Sequence, residues 1–493
     1  MIKISQAADI NWINLYRVAY QNEPLEIDQA LLAAVDSGCD RFIELIERGV
    51  PCYGVTTGLG KLVNLELDQQ ARAEISANIL LARAVAIGDP FPKPVVRAMM
   101  VIRLVNFLSA MDGVSAALCR FLVDRLNDNF TPWVPSSGHG MAADAIANSH
   151  AFQTLIGEGS VIAADGKKQS ARDALLDRGV EPFQVSAKEG LALINGVCAA
   201  PALATDTFYV MDRLLSLANL VAAVSIEGLA ASRDAIDMAV ARVSSEAGIR
   251  KTIETLRRHL NHSQITAFKL QAPISYRVVP QVHGACFDAL ALLRAKIDTC
   301  LVDFSDNPLM EGERFLSSGL FHNQHLVNQV EQVALALAHV GALSERRLHR
   351  LLSPDNTGLN EQLAARPGLD AGLVATHKAS IDLCARLKLL AHPLSLLTSE
   401  TSAGQEDYMS MAIPAILRLY DMVALVKIML AYELLAGLIA VRMRKQKPGD
   451  GVAALVEFFE ARIAEFDRDR SPGADVETIL ELFESDAFAR LHR

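Results

Sequence analysis

Aromatic side chains are scarce in this chain, since Phe, Trp and Tyr make up only 6% of its 493 residues. Hydrophobic residues nevertheless reach 51%, so a large core must be built mainly from aliphatic side chains. That composition favours helices packed on Ala and Leu over a β-sandwich. A basic block is also missing and the net charge is -10, so we expect no nucleic-acid partner.

Cysteines at metal-site or redox-site spacing are absent as well. The seven cysteines are scattered, and no two of them form a C-x-x-C pair. The twelve histidines show no ligand spacing either, so we predict no metal site. The first twenty residues contain no apolar run of signal-peptide length. With an odd number of cysteines, this favours a reducing compartment, and we expect a cytoplasmic protein.

A long uncharged apolar run is missing too. The most apolar stretch, Met422–Val441, is interrupted by Lys427 and Glu433. A membrane-spanning helix needs about 20 residues that are nearly free of charge. We interpret this stretch as a buried core helix and expect no membrane partner.

What the sequence does contain is long helical periodicity. Four segments repeat apolar residues at helical spacing, namely Thr207–Val243, Asn323–Leu352, Leu373–Leu397 and Ile413–Lys445. All exceed the usual helix of about a dozen residues. Helices this long that are apolar on several faces must be covered by other helices, so we expect a homo-oligomer whose subunits share a bundle.

Motifs in a fixed order connect these segments. They are YGVTTGLGKL from Tyr53, RAMMVIRL from Arg97, LIGEG from Leu155, AKEGLALING from Ala187, PQVHGA from Pro280, SDNPL from Ser305, SERRLHRLL from Ser344, AHP from Ala391 and TSAGQEDYMSM from Thr401. This ordered set resembles the histidine and phenylalanine ammonia-lyases, the aromatic amino acid ammonia-lyase family.

The resemblance implies an all-α fold, a long-helix bundle of the aromatic amino acid lyase (fumarase/aspartase-like) type. It also implies a homotetramer with active sites where three subunits meet. We expect three parts in the chain: an N-terminal, mostly helical domain over 1–200, a central long-helix domain over 201–447 and a C-terminal helical cap over 448–493.

The family's electrophile is the element that this sequence lacks. The family makes a methylidene-imidazolone (MIO) ring from an internal Ala-Ser-Gly, whose serine loses water to give the reactive alkene. Aligned on Asp144, that tripeptide falls on Met141, Ala142 and Ala143. Ala142 has no hydroxyl to lose, so we predict that the MIO group is absent and that there is no cofactor.

One alternative keeps the ring. Ser136-Ser137-Gly138 is a Ser-Gly pair just upstream, and a rearranged loop would bring it to the reacting position. The same Ser-Ser-Gly occurs at Ser317–Gly319, which we interpret as incidental.

Three residues match catalytic positions of the family. Tyr53 aligns with the catalytic base, which must act as phenolate and so needs neighbouring donors or cations. Asn195 matches an asparagine that contacts the ring and the substrate amine, and Glu406 a glutamate near them, where a carboxylate can hold a proton. The structural alternatives are a tight-loop tyrosine, a helix-end asparagine and a glutamate paired with a structural arginine.

Substrate binding is expected from Gln271 and Arg277. The matching arginine of the family grips the substrate carboxylate, which a guanidinium does with two parallel hydrogen bonds. The alternative for Arg277 is an internal salt bridge. The family's second catalytic tyrosine is replaced by Ile274, and Tyr276 is a doubtful substitute.

The positions that sort substrates in the family also differ here. They fall on Ala82 and Arg83, and Phe321 is expected to line the pocket. A permanent charge at Arg83 favours an acidic or strongly polar distal group on the ligand. The alternative is that Arg83 pairs with a nearby acid such as Asp89.

Together these residues predict a lyase-type enzyme that is independent of the MIO ring. It would catalyse elimination or conjugate addition on an activated carboxylic acid, with Tyr53 as base and Arg277 as carboxylate clamp. The alternatives are a non-catalytic subunit that binds a small carboxylic or amino acid or partners another chain, and a true ammonia-lyase with a ring from Ser136-Ser137-Gly138.

Overall fold

The computed structural model describes residues 1–186 and 188–491 and is mostly helical. Ala187, which opens the AKEGLALING motif, lies outside the described residues. In the first half of the chain the helices are α1 (Trp12–Tyr20), α2 (Gln29–Glu47), α3 (Gln69–Leu81), α4 (Lys93–Phe107), α5 (Ala116–Asn127), α6 (Ala145–Phe152), α7 (Ala171–Leu176), α8 (Glu189–Ile194), α9 (Ala199–Leu229) and α10 (Met238–Val243).

The second half is helical as well. Its helices are α11 (Ala247–His259), α12 (Ile274–Arg277), α13 (Val279–Val302), α14 (Gln324–Leu351), α15 (Pro354–Thr357), α16 (Val374–Leu390), α17 (Ala412–Arg444), α18 (Asp450–Glu460), α19 (Pro472–Phe483) and α20 (Asp486–Leu491). The expected all-α class is confirmed, and the segment after Pro448 is helical as predicted.

Short two-stranded pairs punctuate the helices. They are the parallel pair β1 (Ile2–Ile4) with β2 (Leu25–Ile27) and three antiparallel pairs, β3 (Ile87–Pro90) with β4 (Pro135–Ser137), β5 (Ser160–Ile162) with β6 (Lys168–Ser170), and β7 (Leu309–Glu311) with β8 (Arg314–Leu316).

Two of the four predicted long helices, α14 and α17, are observed within one residue of their expected ends. The prediction for Thr207–Val243 was wrong at both ends. Helix α9 begins at Ala199 and stops at Leu229, because Ala230 takes a left-handed φ of 53°. A new helix, α10, then begins after Asp237, whose carboxylate caps it by accepting from the Ala239 N–H at 2.7 Å.

The helix predicted for Leu373–Leu397 also ends early. Helix α16 stops at Leu390, shortly before Pro393. Proline lacks an N–H and disfavours helical geometry in the residue before it, so the apolar periodicity continues as a 3-10 turn over Leu394–Leu396.

The described chain groups into two compact units made of non-consecutive segments. The first unit comprises 1–206, 294–330 and 393–417, and the second comprises 207–293, 331–392 and 418–493. Consecutive domains are expected from the sequence, and their boundaries stay a prediction.

Helix α4 forms the centre of the first unit, and every residue from Val95 to Phe107 is buried. Its two arginines have backbone partners: Arg97 donates to the carbonyls of Val18 and Leu126, and Arg103 to those of Ala192 and Ser305. Burying a guanidinium is tolerable only when its N–H groups are paired in this way.

The second unit is a helix bundle with a polar centre. Arg347 on α14 forms a two-pronged ion pair with Glu433 on α17, and Ser225 on α9 donates to the same carboxylate at 2.6 Å. All the side-chain atoms of this ion pair are buried. The two-pronged geometry and the Ser225 donor offset part of the cost of taking both charges out of water.

Three helical segments of the described chain are long and apolar enough to cross a membrane. They are Glu189–Leu229, Gln324–Leu351 and Ala412–Arg444. Within the structure, 72%, 50% and 78% of their most apolar windows are already buried. The burial of the last segment agrees with the interpretation of Met422–Val441 as a core helix.

Candidate active site

A cavity of about 280 Å³ in the first unit brings together most of the predicted site residues. It is lined by the three predicted catalytic residues, Tyr53, Asn195 and Glu406, and by Arg83 and Phe321. The three residues aligned with the family's ring-forming tripeptide, Met141, Ala142 and Ala143, line it too. Segments far apart in sequence therefore converge on one site, as the ordered motifs predicted.

Tyr53 is held by the glycine-rich loop that follows it. The backbone N–H of Gly60 donates to the Tyr53 hydroxyl oxygen at 2.9 Å. Gly54 has a φ of 70°, and a Cβ there would lie 2.6 Å from the side chain of Leu59 and 2.8 Å from that of Leu191. The loop closes this tightly only with glycine at that position. Because the Gly60 N–H points at the phenol oxygen, it can also donate to the phenolate that forms when Tyr53 loses its proton.

Asn195 is positioned by the end of helix α8. It is the C-cap residue of that helix, and its side-chain amide donates to the carbonyl of Asn307 at 2.6 Å. The next residue, Gly196, has a φ of 84°, and a Cβ there would lie 2.0 Å from the Ser305 carbonyl oxygen. The helix-end interpretation and the site interpretation of Asn195 are therefore compatible.

Glu406 sits on a strained turn. Thr401 and Glu406 form a backbone bridge, and the hydroxyl of Ser402 donates to the Glu406 carboxylate at 3.1 Å. Ser402 and Ala403 both take left-handed φ values, 53° and 54°. Such strain persists only where the surroundings hold it. Glu406 forms no ion pair with an arginine anywhere in residues 1–186 and 188–491, so the predicted structural alternative is not observed there.

Arg83 lies just beyond the end of α3 and is half-buried. Burial lowers the pKa of its guanidinium, against the attraction of Tyr53 and Glu406. Asp89 does not pair with it among the ion pairs of the described chain. Its neighbour Ala82 is the exposed C-cap of α3 and is not among the residues lining the cavity.

The loop aligned with the family's ring-forming tripeptide ends in an anchored aspartate. Asp144 begins helix α6, and its carboxylate accepts hydrogen bonds from the N–H groups of Cys198 and Ala200 and from the side chain of Asn323, at 2.9–3.0 Å. Burial raises the pKa of Asp144 to about 6 in spite of these donors. Because Asp144 is held in place, Ala142, two residues earlier, is positioned on the cavity.

Ser136-Ser137-Gly138 lies elsewhere. Ser136 and Ser137 belong to strand β4, in which Ser137 is paired with Ile87 of β3. Neither serine lines the cavity. The imidazole of His139 donates to the Pro135 carbonyl at 2.7 Å and closes the turn that follows the strand.

Four polar residues on the cavity were not predicted as site residues. They are Asn307, Ser317, Ser318 and Gln405. Asn307 and Gln405 lie inside motifs that the sequence analysis identified, so their positions in SDNPL and TSAGQEDYMSM were an available signal. Ser317 and Ser318 were interpreted as an incidental Ser-Ser-Gly, and only the fold places them here.

Gln271 and Arg277 line a different cavity, which is built from residues of the second unit. The Nε–H of Arg277 donates to the Ala272 carbonyl at 2.9 Å, and no ion pair to Arg277 occurs in the described part of the chain. The predicted internal salt bridge is therefore not observed there, and both terminal nitrogens remain available to a ligand or to another copy of the chain.

Tyr276 does not replace the family's second tyrosine. It is buried, its hydroxyl donates to the Arg347 carbonyl at 2.9 Å, and burial raises its pKa well above 10. Ile274, at the aligned position, is exposed.

No group of three His, Cys, Asp or Glu side chains among the described residues has the arrangement of a metal site.

Comparison with known proteins gives one consistent result. The family model for aromatic amino acid lyases matches residues 10–461. The histidine ammonia-lyase of Deinococcus radiodurans is 32% identical over 471 residues, which cover 94% of this chain and 90% of that protein. Tyrosine aminomutase from Streptomyces globisporus superposes with a TM-score of 0.89 at 26% identity, covering 98% of this chain and 96% of that one.

One further solved structure is similar in fold. The ergothionase of Treponema denticola, described as an ergothioneine-degrading enzyme, superposes with a TM-score of 0.94 at 24% identity, and the match covers 97% of this chain and 98% of that one. The long match to the family model and the 32% identity to a relative over nearly the whole chain show that this protein belongs to the aromatic amino acid lyase family.

Proposed function

We propose that this protein is a carbon–nitrogen lyase-type enzyme that works without the MIO ring, catalysing elimination or conjugate addition on an activated carboxylic acid. The observation that carries the proposal is the composition of the cavity. Tyr53, with a backbone donor on its hydroxyl oxygen, shares the cavity with Asn195 and Glu406, while Ala142 stands where a ring-forming serine would be.

The missing electrophile decides the kind of substrate. The β-proton of a free amino acid is very weakly acidic, and each 1.36 kcal/mol left in a barrier slows a reaction tenfold. Tyr53 alone does not supply what the ring supplies. The proton must therefore already be acidified by the substrate, for example by an adjacent thioester or ketone, or the substrate must be an α,β-unsaturated acid.

The proposed reaction needs two proton carriers. In elimination, the Tyr53 oxygen takes the acidified proton as the Tyr53 hydroxyl proton passes to the Glu406 carboxylate. The carbon–hydrogen electron pair becomes the new double bond, and the leaving group departs with its bonding pair and with the proton that Glu406 has received. Conjugate addition runs the same steps in reverse. A positioned acid or base typically contributes 10²–10⁴-fold in rate.

The carboxylate clamp of this proposal is Arg277. We place it in the site of a neighbouring copy of the chain within a homotetramer. Two observations support this: Arg277 lies outside the cavity of the first unit, and its terminal nitrogens have no ion pair in the described chain. We also propose that the protein works in the cytoplasm.

Intact mass of the purified native chain is the first test. A mass equal to the encoded sequence is expected. A mass lower by two waters would show that a ring forms and would restore ordinary ammonia-lyase chemistry. Peptide mapping would then show whether the ring formed from Ser136–Gly138 or from Ser317–Gly319, whose two serines line the cavity.

A non-catalytic ligand-binding subunit is the second candidate, favoured by Met141, Ala142 and Ala143 at the ring position. A screen of activated acids, such as acyl thioesters and 2-enoic acids, separates the two. Turnover that disappears in Tyr53→Phe supports the enzyme, whereas ligand binding without turnover in the same screen supports the binding subunit.

A further inference from the structure

The cavity of the first unit contains a cation, Arg83, that has no ion-pair partner among the residues that the structure describes. Arg83 lines this cavity, and its guanidinium takes part in no hydrogen bond or ion pair with any residue of 1–186 or 188–491. The acid nearest in sequence, Asp89, lies in strand β3 and is not paired with it. A half-buried positive charge therefore has no neutralising partner among the described residues of its own chain.

Glu406 does not fill this role. It lines the same cavity and attracts Arg83 at longer range, but no nitrogen of Arg83 lies within the 4.0 Å that defines an ion pair. Its carboxylate already accepts from the Ser402 hydroxyl at 3.1 Å. Within the described part of the chain the N–H donors of Arg83 are therefore unpaired, and Glu406 stays available for proton transfer.

The backbone around Arg83 is fixed. The Val85 N–H donates to the Arg83 carbonyl at 2.9 Å, and the Ala86 N–H donates to His150 Nε2 at 3.0 Å. Burial lowers the pKa of His150 to about 4, so its ring stays neutral and can accept that hydrogen bond at physiological pH. Arg83 is therefore presented from a rigid segment, which reduces the entropy lost when a ligand binds.

We infer that the substrate is a small acid carrying a second oxyanion group, a carboxylate or a phosphate, and that Arg83 binds this group. The inference rests on the proposed function and adds the class of its substrate. Arginine keeps its charge when partly buried, and its planar N–H fork matches either oxyanion with two parallel hydrogen bonds.

The inference also explains what the site rejects. An apolar or neutral end placed in the cavity would exclude water from Arg83 without giving it a partner, and a charged group left unsatisfied is costly. We expect the second oxyanion to tighten binding by roughly tenfold or more, the ratio that about 1.4 kcal/mol represents.

The test compares matched pairs of probes by calorimetry on the full chain. The probes are α,ω-diacids from butanedioate to heptanedioate, each beside the monoacid of equal chain length. Phosphonocarboxylic acids of the same lengths separate a phosphate preference from a carboxylate preference. Several chain lengths are compared so that one of them matches the distance between Arg83 and the carboxylate clamp.

The variants are Arg83→Met, Arg83→Lys and the control Arg172→Met. Arg172 is exposed and pairs with Glu158 at 3.5 Å, so its substitution changes the net charge equally without touching the cavity. At least one diacid or phosphonocarboxylate should bind tenfold or more tightly than its monoacid. Arg83→Met should remove that preference, Arg83→Lys should keep part of it, and Arg172→Met should leave it unchanged.

Several outcomes would overturn the inference. These are equal binding of diacids and monoacids, absence of binding by every probe, or a preference that survives in Arg83→Met. The proposed function fails separately. If diacids bind through Arg83 but no activated acid turns over, only the enzyme proposal falls; if turnover depends on Tyr53 but not on Arg83, only this inference falls.

Discussion

At the scale of single residues, the two tyrosines near the aligned catalytic positions have opposite environments. Tyr53 is half-buried on the cavity, and its oxygen accepts a hydrogen bond from a backbone N–H. Tyr276 is buried, and its hydroxyl donates a hydrogen bond to a helix carbonyl. Motif alignment already favours Tyr53, and the physical difference between the two residues lies in what the fold packs against each ring.

Replacement of Tyr53 by Phe tests the base directly. We expect kcat to fall by roughly 10²–10⁴-fold with little change in KM, because the substitution removes proton transfer and keeps the ring. Steady-state kinetics on the activated acid found in the screen measures it.

Tyr276→Phe is the matched control. It should leave kcat unchanged and lower stability by about 1 kcal/mol, since one hydrogen bond to the Arg347 carbonyl is lost. A large fall in kcat for Tyr276→Phe together with a small one for Tyr53→Phe would exchange the roles of the two residues.

Asp112 predicts a pH dependence of stability. It lies in a fully buried cluster with Arg103, Lys188 and Asp306. Burial and the neighbouring Asp306 raise its pKa from 3.8 to about 8. Between about pH 4 and pH 8 the folded state therefore keeps the Asp112 proton, while the unfolded chain has lost it. The contribution of Asp112 to the free energy of unfolding is complete below about pH 4 and is lost as the pH rises through about 8.

Asp112→Asn should flatten that dependence. The amide copies the protonated acid and does not titrate, so the fall in melting temperature between pH 6 and pH 8.5 should be smaller than in the native chain. Asp144, whose pKa is raised to about 6, also makes stability fall as the pH rises, and it is present in both proteins. An equal fall in the two proteins would show that Asp112 is ionised throughout that range.

At the scale of elements, helix α8 carries Asn195 and depends on close packing against α3. A Cβ on Gly190 would lie 1.7 Å from the Ser76 carbonyl oxygen, which leaves no space for a methyl group. The AKEGLALING motif identified this segment, but the need for glycine comes from the backbone of a helix more than a hundred residues earlier in the chain.

Gly190→Ala should therefore destabilise the protein by 1–3 kcal/mol or more, because α8 must shift away from α3. The shift should also reduce activity through Asn195. Thermal unfolding and kinetics together measure the two effects. Gly140→Ala is the control, since a Cβ there meets nothing within 4 Å. Equal melting temperatures for the two variants would contradict the packing argument.

At the scale of the whole molecule, large apolar side chains remain exposed on the second unit. Leu270, Leu369 and Leu389 are 93%, 72% and 72% exposed. Such surface is typical of subunit contacts when it is contiguous. Light scattering on the purified protein should give the mass of a tetramer, and a monomer at micromolar concentration would overturn the proposed assembly.

Mixing two inactive variants tests whether Tyr53 and Arg277 act from different chains. Tyr53→Phe and Arg277→Met refolded together should recover about a quarter of the native activity, because in random oligomers half of the sites keep each residue. Recovery is expected only if one site takes Tyr53 and Arg277 from two copies. No recovery would place both residues in one chain or remove Arg277 from the reaction.

Composition, periodicity and motif order predicted the fold class, the family and eight of the eighteen residues that line the cavity. Helical periodicity predicted α14 and α17 to within one residue, and the motif order predicted that Tyr53, Asn195, Phe321 and Glu406 meet. These features depend on local spacing and on side-chain type, which a sequence records directly. The sequence also showed that Ala142 offers no hydroxyl for a ring.

The availability of charges and hydroxyls depends on contacts that arise only in the folded chain. The fold left Arg83 without an ion-pair partner among the described residues, buried Tyr276 and put Ser317 and Ser318 on the cavity. It also ended α9 at a left-handed Ala230, where the apolar pattern continues. The physical reason is common to all of them: burial, pairing and backbone direction depend on what other segments bring to the same place, and one segment's own sequence does not contain that information.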